Sequence, residues 1–198
     1  GGAIALAAEA ALRAGAGLLS IGTRGDHVGP LLARLPEAMV HALEDGDVLP
    51  NLLDKARVVA IGPGLGPDDW ARALFARVLA CGKPLVIDAD ALNLLARDPR
   101  ALPDAILTPH PGEAARLLEC TTAEIQADRY RCAQALAERY HAVVVLKGAG
   151  SIVAAPGQIP RLIAAGNPGM AVGGMGDLLT GIIASLRAQG LEAFDAAA

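Results

Sequence analysis

Asp177 follows directly on a glycine cluster, Gly173-Gly174-Met175-Gly176, and heads an apolar stretch in which Leu178, Leu179, Ile182, Ile183 and Leu186 share one helical face. Glycines placed just before a helix let a ligand approach the backbone, and the unpaired N–H groups and positive dipole end of the helix attract an anion, phosphate above all. Anion binding alone does not account for a carboxylate there, because it would sit beside phosphate oxygens of its own sign. Two explanations remain open. Asp177 takes a proton from a substrate hydroxyl as that oxygen attacks a phosphoryl group; or it is an ordinary acid of a first helical turn, and the glycines serve tight packing. The glycine cluster and the flanking Asn167 favour the first.

The other chemistry-bearing residues stand just beyond short apolar runs. Gly62-Pro63-Gly64-Leu65-Gly66 follows residues 57–61, Asp88-Ala89-Asp90 follows 84–87, Thr108-Pro109-His110-Pro111-Gly112-Glu113 follows 105–107, and Lys147-Gly148-Ala149-Gly150 follows 142–146. Asp88 and Asp90 invite a metal, but the spacing favours Asp90 as the cap of a helix carrying Leu92, Leu94 and Leu95, with Asn93 toward a cleft. A lone His held between two prolines is most often part of a stiff turn. Its position between a strand end and a helix start nevertheless favours substrate contact for His110, with Glu113 as an early helix acid or a supporting polar group. Lys147 either directs its charge at a ligand or snorkels to solvent from the sheet end. Asn167 either positions phosphate or metal or simply starts a turn before Pro168. A Walker loop is absent, and no GxGxxG follows the first strand with an acid about 20 residues on.

The elements that must hold these residues follow from the pattern. An amphipathic helix over 2–14 ends at Gly15 and Gly17, and Leu18–Ile21 reads as a short strand. Residues 24–56 are broken by Pro30, Pro36, Gly46 and Pro50 and yield no assignment. Strands are then predicted at 57–61, 84–87, 105–107 and 142–146, with helices at 68–79 and 91–96, another after Glu113, and a longer one over 123–140. Residues 151–154 and 161–164 read as a hairpin, and the last helix starts near Gly176. Alternating strands and helices predict a single α/β domain spanning 1–198, with a mainly parallel sheet between helices and ligands at the carboxyl ends of the strands.

Composition narrows the partners. Seventeen Lys and Arg against 21 Asp and Glu give a net charge of −4 with no basic stripe, which excludes DNA or RNA as an expected partner. Apolar residues reach 53 %, but no run approaches the roughly 20 residues of a membrane span. Cys81, Cys120 and Cys132 form no CxxC pair, which suits a reducing cytoplasm. The apolar content also leads us to expect a homo-oligomer. A helical pattern already under way at Gly1, and an apolar segment just before Ala196–Ala198, lead us to expect that both ends belong to a longer polypeptide.

Asn167–Gly181, with Gly-Gly-Met-Gly-Asp-Leu-Leu-Thr-Gly inside it, resembles the signature of the ADP/ATP-dependent NAD(P)H-hydrate dehydratases, a branch of the ribokinase-like superfamily. Gly1–Gly17, Ile61–Gly66, Val86–Asn93, Leu107–Glu113 and Lys147–Ser151 agree in order, so the likeness spans nearly the whole chain. It implies a ribokinase-like three-layer sandwich and the repair of a reduced nicotinamide that has taken up water. The new hydroxyl of hydrated NADH or NADPH is phosphorylated, and phosphate then leaves. By the same resemblance Asp177 is the base and the amides of Gly174, Met175 and Gly176 form the anion hole. Lys147, Gly148, Ala149, Gly150 and Ser151 line the adenine nucleotide, Gly176 lies beside its phosphates, and Ala3, Gly66, His110 and Asp177 meet the hydrate. ADP, or ATP, with Mg2+ held mostly by phosphates and water is the implied donor, and ADP in bacteria or archaea. The resemblance further implies an initial strand and glycine-rich turn before Gly1, absent here, and in many bacteria a fused epimerase domain. The competing readings are a kinase of a small vitamin-precursor alcohol, of the hydroxymethylpyrimidine or hydroxyethylthiazole type, and a non-catalytic nucleotide-sensing module.

Overall fold

In the computed structural model residues 1–44 and 48–198 are described. The chain runs α1 (Gly2–Arg13), β1 (Ser20–Thr23), α2 (Gly25–Arg34), β2 (Met39–Ala42), α3 (Val48–Lys55), β3 (Val59–Ile61), α4 (Asp69–Leu79), β4 (Leu85–Ile87) and α5 (Ala89–Arg97). It continues with β5 (Ala105–Leu107), α6 (Pro111–Leu118), α7 (Thr122–Ala127), α8 (Arg129–Tyr140), β6 (Val143–Leu146), β7 (Ser151–Ala154), β8 (Arg161–Ile163), α9 (Met175–Ala188) and α10 (Ala193–Ala197).

Strands β3 to β8 form one sheet in chain order, parallel from β3 to β6 and antiparallel from β6 to β8. Because each parallel neighbour is also the next strand in sequence, right-handed crossovers put α4, α5, α6 and α8 on one face. The core records this. Ile87, Leu107, Val144 and Leu146 pack with Phe75, Leu92, Leu117 and Leu136 of those helices. The alternate strand residues Val86, Ile106, Val143 and Val145 pack with Ile183 of α9 and Ala196 of α10. A period of two along each strand thus feeds two separate apolar layers, and the sheet is covered on both sides.

Two expectations are corrected. The single helix over 123–140 is two, because Asp128 adopts an extended backbone (φ −148°, ψ 81°) and turns its carboxylate to the Arg131 N–H, capping α8 instead of continuing α7. Residues 24–56, left unassigned, hold α2, β2 and α3. Pro30 lies inside α2, and Pro50 occupies the first turn of α3, where no donor is required of it. Gly46 lies outside the described residues.

Strands β1 and β2 pair in parallel with each other and, among the described residues, with nothing else. Residues of β1 and β3 both line one apolar cavity of about 260 Å³, together with residues of α1 and α4. No helix among the described residues is long and apolar enough to cross a membrane.

Candidate active site

The glycine cluster stands directly before a helix, as its spacing predicts. Gly174 takes a left-handed conformation (φ +93°) as the residue before α9, and a Cβ there would meet the Leu6 Cδ1 of α1 at 2.6 Å. Helix α9 then begins at Met175, so the amides of Met175, Gly176 and Asp177 are those that a helix leaves without internal acceptors. Asp177 is half-buried, and its carboxylate accepts no hydrogen bond among the described residues. Burial pushes its pKa above the ordinary aspartate value; the negative charge of Asp88 adds to the rise, and the Lys147 ammonium opposes it.

Beneath this turn lies a buried polar cluster drawn from three strand ends. Lys147, just past β6, donates from its backbone N–H to the Pro109 carbonyl (2.9 Å) and from Nζ to Asp88 Oδ1 (2.8 Å). Its ammonium also lies 3.9 Å from Glu113 Oε2. Lys147 therefore does not snorkel; only 20 % of its side chain is exposed. Asp88, at the end of β4, is buried and accepts the Thr180 hydroxyl on its second oxygen at 3.0 Å. A Cβ on Gly176 would come within 3.2 Å of Lys147 Nζ and 3.5 Å of Asp88 Oδ2. An added methyl would press on the ammonium, which would have to give by a few tenths of an ångström.

His110 caps α6. Its Nδ1 accepts from the N–H groups of Gly112 (3.0 Å) and Glu113 (3.4 Å), while Glu113 Oε2 accepts from the His110 N–H (2.8 Å). Nδ1 is thereby the unprotonated nitrogen, and Nε2 faces Glu113 Oε1 at 3.4 Å. Glu113 is both an early helix acid and the link from His110 to Lys147. Asp90 does not cap α5: its Oδ2 accepts the Gly66 N–H at 2.8 Å and fixes the Gly62–Gly66 turn to the end of β4. In that turn Gly62 (φ +128°) presses on the Asp88 carbonyl so closely that a Cβ would lie 1.7 Å from its oxygen. Ala3, at the start of α1, faces Gly64 of the same turn. Asn93 Oδ1 accepts from Arg116 Nε (2.7 Å), and both line a cleft of about 510 Å³ beside Gly66.

Residues 147–151 form a loop clamped by one guanidinium. Arg129 Nη1 donates to the carbonyls of Ala149 (2.8 Å) and Gly150 (2.9 Å), and Nη2 donates to Leu146 (3.1 Å). Ser151 closes the loop with a bond from Oγ to the Gly148 carbonyl at 3.3 Å. Asn167 is exposed and accepts the Gly169 N–H at 2.9 Å, capping the short turn Pro168–Met170. It behaves as the turn starter, and no contact joins it to the cluster among the described residues.

The fold thus brings Asp177, Gly176 and Lys147 together, sets Ala3 against Gly64 of the turn that holds Gly66, and ties His110 in through Glu113. Reasoning from the sequence passed over Thr180 and Arg129. Arg129 did leave a signal, since a cation in the first turn opposes the helix dipole and needs another reason to be there. Thr180 left none.

A sequence profile described as NAD(P)H-hydrate dehydratase matches residues 1–198. The chain belongs to the NAD(P)H-hydrate dehydratase family. It is 53 % identical over 196 residues to the bifunctional NAD(P)H-hydrate repair enzyme Nnr of Escherichia coli (strain K12), covering 99 % of this chain and 38 % of that protein. The chain therefore spans well under half the length of that relative. Its fold is ribokinase-like. A ribokinase-like superfamily protein from Enterococcus faecalis V583 superposes with a TM-score of 0.90 at 35 % identity, over 100 % of this chain and 71 % of that one. The ADP/ATP-dependent NAD(P)H-hydrate dehydratase of Bacillus subtilis, co-crystallized with ATP/Mg2+, superposes with a TM-score of 0.84 at 33 % identity, over 99 % of this chain and 71 % of that one.

Proposed function

We propose that residues 1–198 carry an ADP-dependent (S)-NAD(P)H-hydrate dehydratase site. The observation that carries this reading is a carboxylate, Asp177, of raised proton affinity at the amide end of α9, with an ammonium fixed beneath the same turn. A base in that position accepts the proton of a hydroxyl as its oxygen bonds to the phosphorus of the donor. The bond from that phosphorus to the nucleotide breaks, releasing AMP when ADP is the donor. The amides of Gly174, Met175 and Gly176, with Lys147 below them, hold the charge on the transferring group. The phosphate ester so formed is a good leaving group, and its departure with a ring proton restores the nicotinamide double bond.

The loop from Lys147 to Ser151, clamped by Arg129, is the segment we assign to the nucleotide, and Ala3, the cleft beside Gly66 and His110 are assigned to the dinucleotide hydrate. Among the described residues no three His, Cys, Asp or Glu side chains are placed to hold a metal. The donor set therefore suits Mg2+ brought by the nucleotide and held by phosphate and water, where it would neutralise phosphate charge. The two unpaired edges flanking the apolar slot support a further strand of the domain lying between β1 and β3, supplied from outside residues 1–198. The unmatched length of the Nnr relative supports a fused epimerase, and the exposed Leu18, Ile159 and Val172 support an oligomer. Free Cys81, Cys120 and Cys132 support a cytoplasmic setting.

The test is to incubate purified protein with hydrated NADH, magnesium and ADP or ATP and to follow reduced-nicotinamide absorbance. We expect absorbance to return and AMP or ADP to accumulate. A stable phosphate ester with no absorbance would select the small-alcohol kinase, and neither product in folded protein would reject catalysis.

A further inference from the structure

We propose that Thr180 is a positioning residue for the phosphoryl group: through Asp88 it fixes the Lys147 ammonium beneath the amide end of α9. The inference rests on the reading that this turn receives the nucleotide's phosphates.

A threonine inside a helix usually turns its hydroxyl back to the carbonyl three or four residues earlier. Thr180, one turn into α9 and fully buried, instead directs Oγ1 across the layer to Asp88 Oδ2, a partner 92 residues away. The other oxygen of that carboxylate holds Lys147 Nζ at 2.8 Å. Both oxygens are thus engaged from different directions, and the group cannot rotate without giving up one bond. Glu113, the other carboxylate near the ammonium, is tied at Oε2 to the His110 N–H (2.8 Å) and stays 3.9 Å away. The ammonium is left in one place, 3.2 Å from where a Gly176 Cβ would stand.

That place matters because of the local charge. Asp88, Glu113 and Asp177 put three carboxylates around a single ammonium, so the turn attracts an anion only if the ammonium stands closer to it than the carboxylates do. Without the Thr180 hydroxyl, Asp88 Oδ2 is buried with no donor. The carboxylate then turns both oxygens to Lys147 and draws the ammonium away from α9.

The test compares Thr180→Val, which keeps the shape and removes the hydroxyl, with Thr180→Ser, which keeps the hydroxyl. ADP affinity is measured by calorimetry, and the KM for ADP and kcat with hydrated NADH are measured in parallel. Hydrogen bonds to charged groups are strong enough that we expect Thr180→Val to weaken ADP binding and raise its KM about tenfold or more, with Thr180→Ser within about twofold of wild type. Wild-type ADP affinity in Thr180→Val, or equal losses in both variants, would overturn the proposal, the second outcome marking a packing role. If Thr180→Val does not fold, Thr180→Cys takes its place, since a thiol donates weakly. A wild type that binds ADP without repairing the hydrate would sink the dehydratase reading, while the calorimetric comparison would still decide the role of Thr180. A wild type that binds no ADP would overturn both.

Discussion

Asp177 carries opposite demands for stability and for chemistry. Burial and the nearby Asp88 charge disfavour its ionised form, so the folded state binds this proton more tightly than the unfolded chain does. Its contribution therefore favours folding at low pH and is lost as pH rises through the elevated pKa. Asp177→Asn removes that loss: the variant should melt above wild type at neutral pH, with a gain that vanishes below the ordinary aspartate range, as thermal scans at several pH values would show. The proposed role as base needs the ionised form, so kcat/KM should fall toward acid at a pH above that same range. Lys147→Met, which removes the cation opposing the rise, should move the acid limb to still higher pH; a limb that stays in place would disconnect Lys147 from Asp177. At this scale much was legible. Asp177, Gly176 and Lys147 announce themselves by standing at ends of apolar runs. Thr180 and the way Asp88 is used do not, because their meaning lies in partners 92 and 59 residues away that no local pattern reveals.

Helices α1 and α9 are joined at Gly181, where an added Cβ would stand 2.0 Å from the Ala7 carbonyl oxygen. Neither backbone can yield without moving its helix, and α9 carries Asp177. Gly181→Ala should cost about 1–3 kcal/mol or more, which lowers Tm by roughly 2–4 °C per kcal/mol in a chain of this size. Activity should fall with it, because the first turn of α9 shifts relative to Asp88. An unchanged melting curve would contradict this packing. The alternation from β3 to β6 was readable because each strand is apolar on both faces and the helices between them on only one. The α2, β2 and α3 segment was not, since Pro30 inside a helix defeats the usual reading and β2 is only four residues long and interrupted by His41. The break at Asp128 was missed because Asp inside a helical pattern and Asp as a new cap look alike until the backbone is seen.

The strands fall into two sheets, β1 with β2 and β3 to β8, and residues of both β1 and β3 line the apolar slot. If a strand from a longer chain fills it, hydrogen exchange at Ser20–Thr23 and Val59–Ile61 should be fast in residues 1–198 alone and slow in the longer protein. Equal protection in both would leave the slot without that role. The polar cluster around Lys147 does not depend on this gap, since Asp88 and Lys147 stand just past strands of the six-stranded sheet and Thr180 lies in the helix packed on it. In the proposed mechanism Asp177 takes the proton of the hydrate's hydroxyl while the turn around it holds phosphate. Side-by-side measurement of turnover and ADP affinity in Asp177→Asn tests that most directly. We expect kcat to fall by about a hundredfold to ten-thousandfold, as loss of a general base does, while ADP binds at least as tightly as to wild type. Near-normal turnover in the folded variant would contradict it.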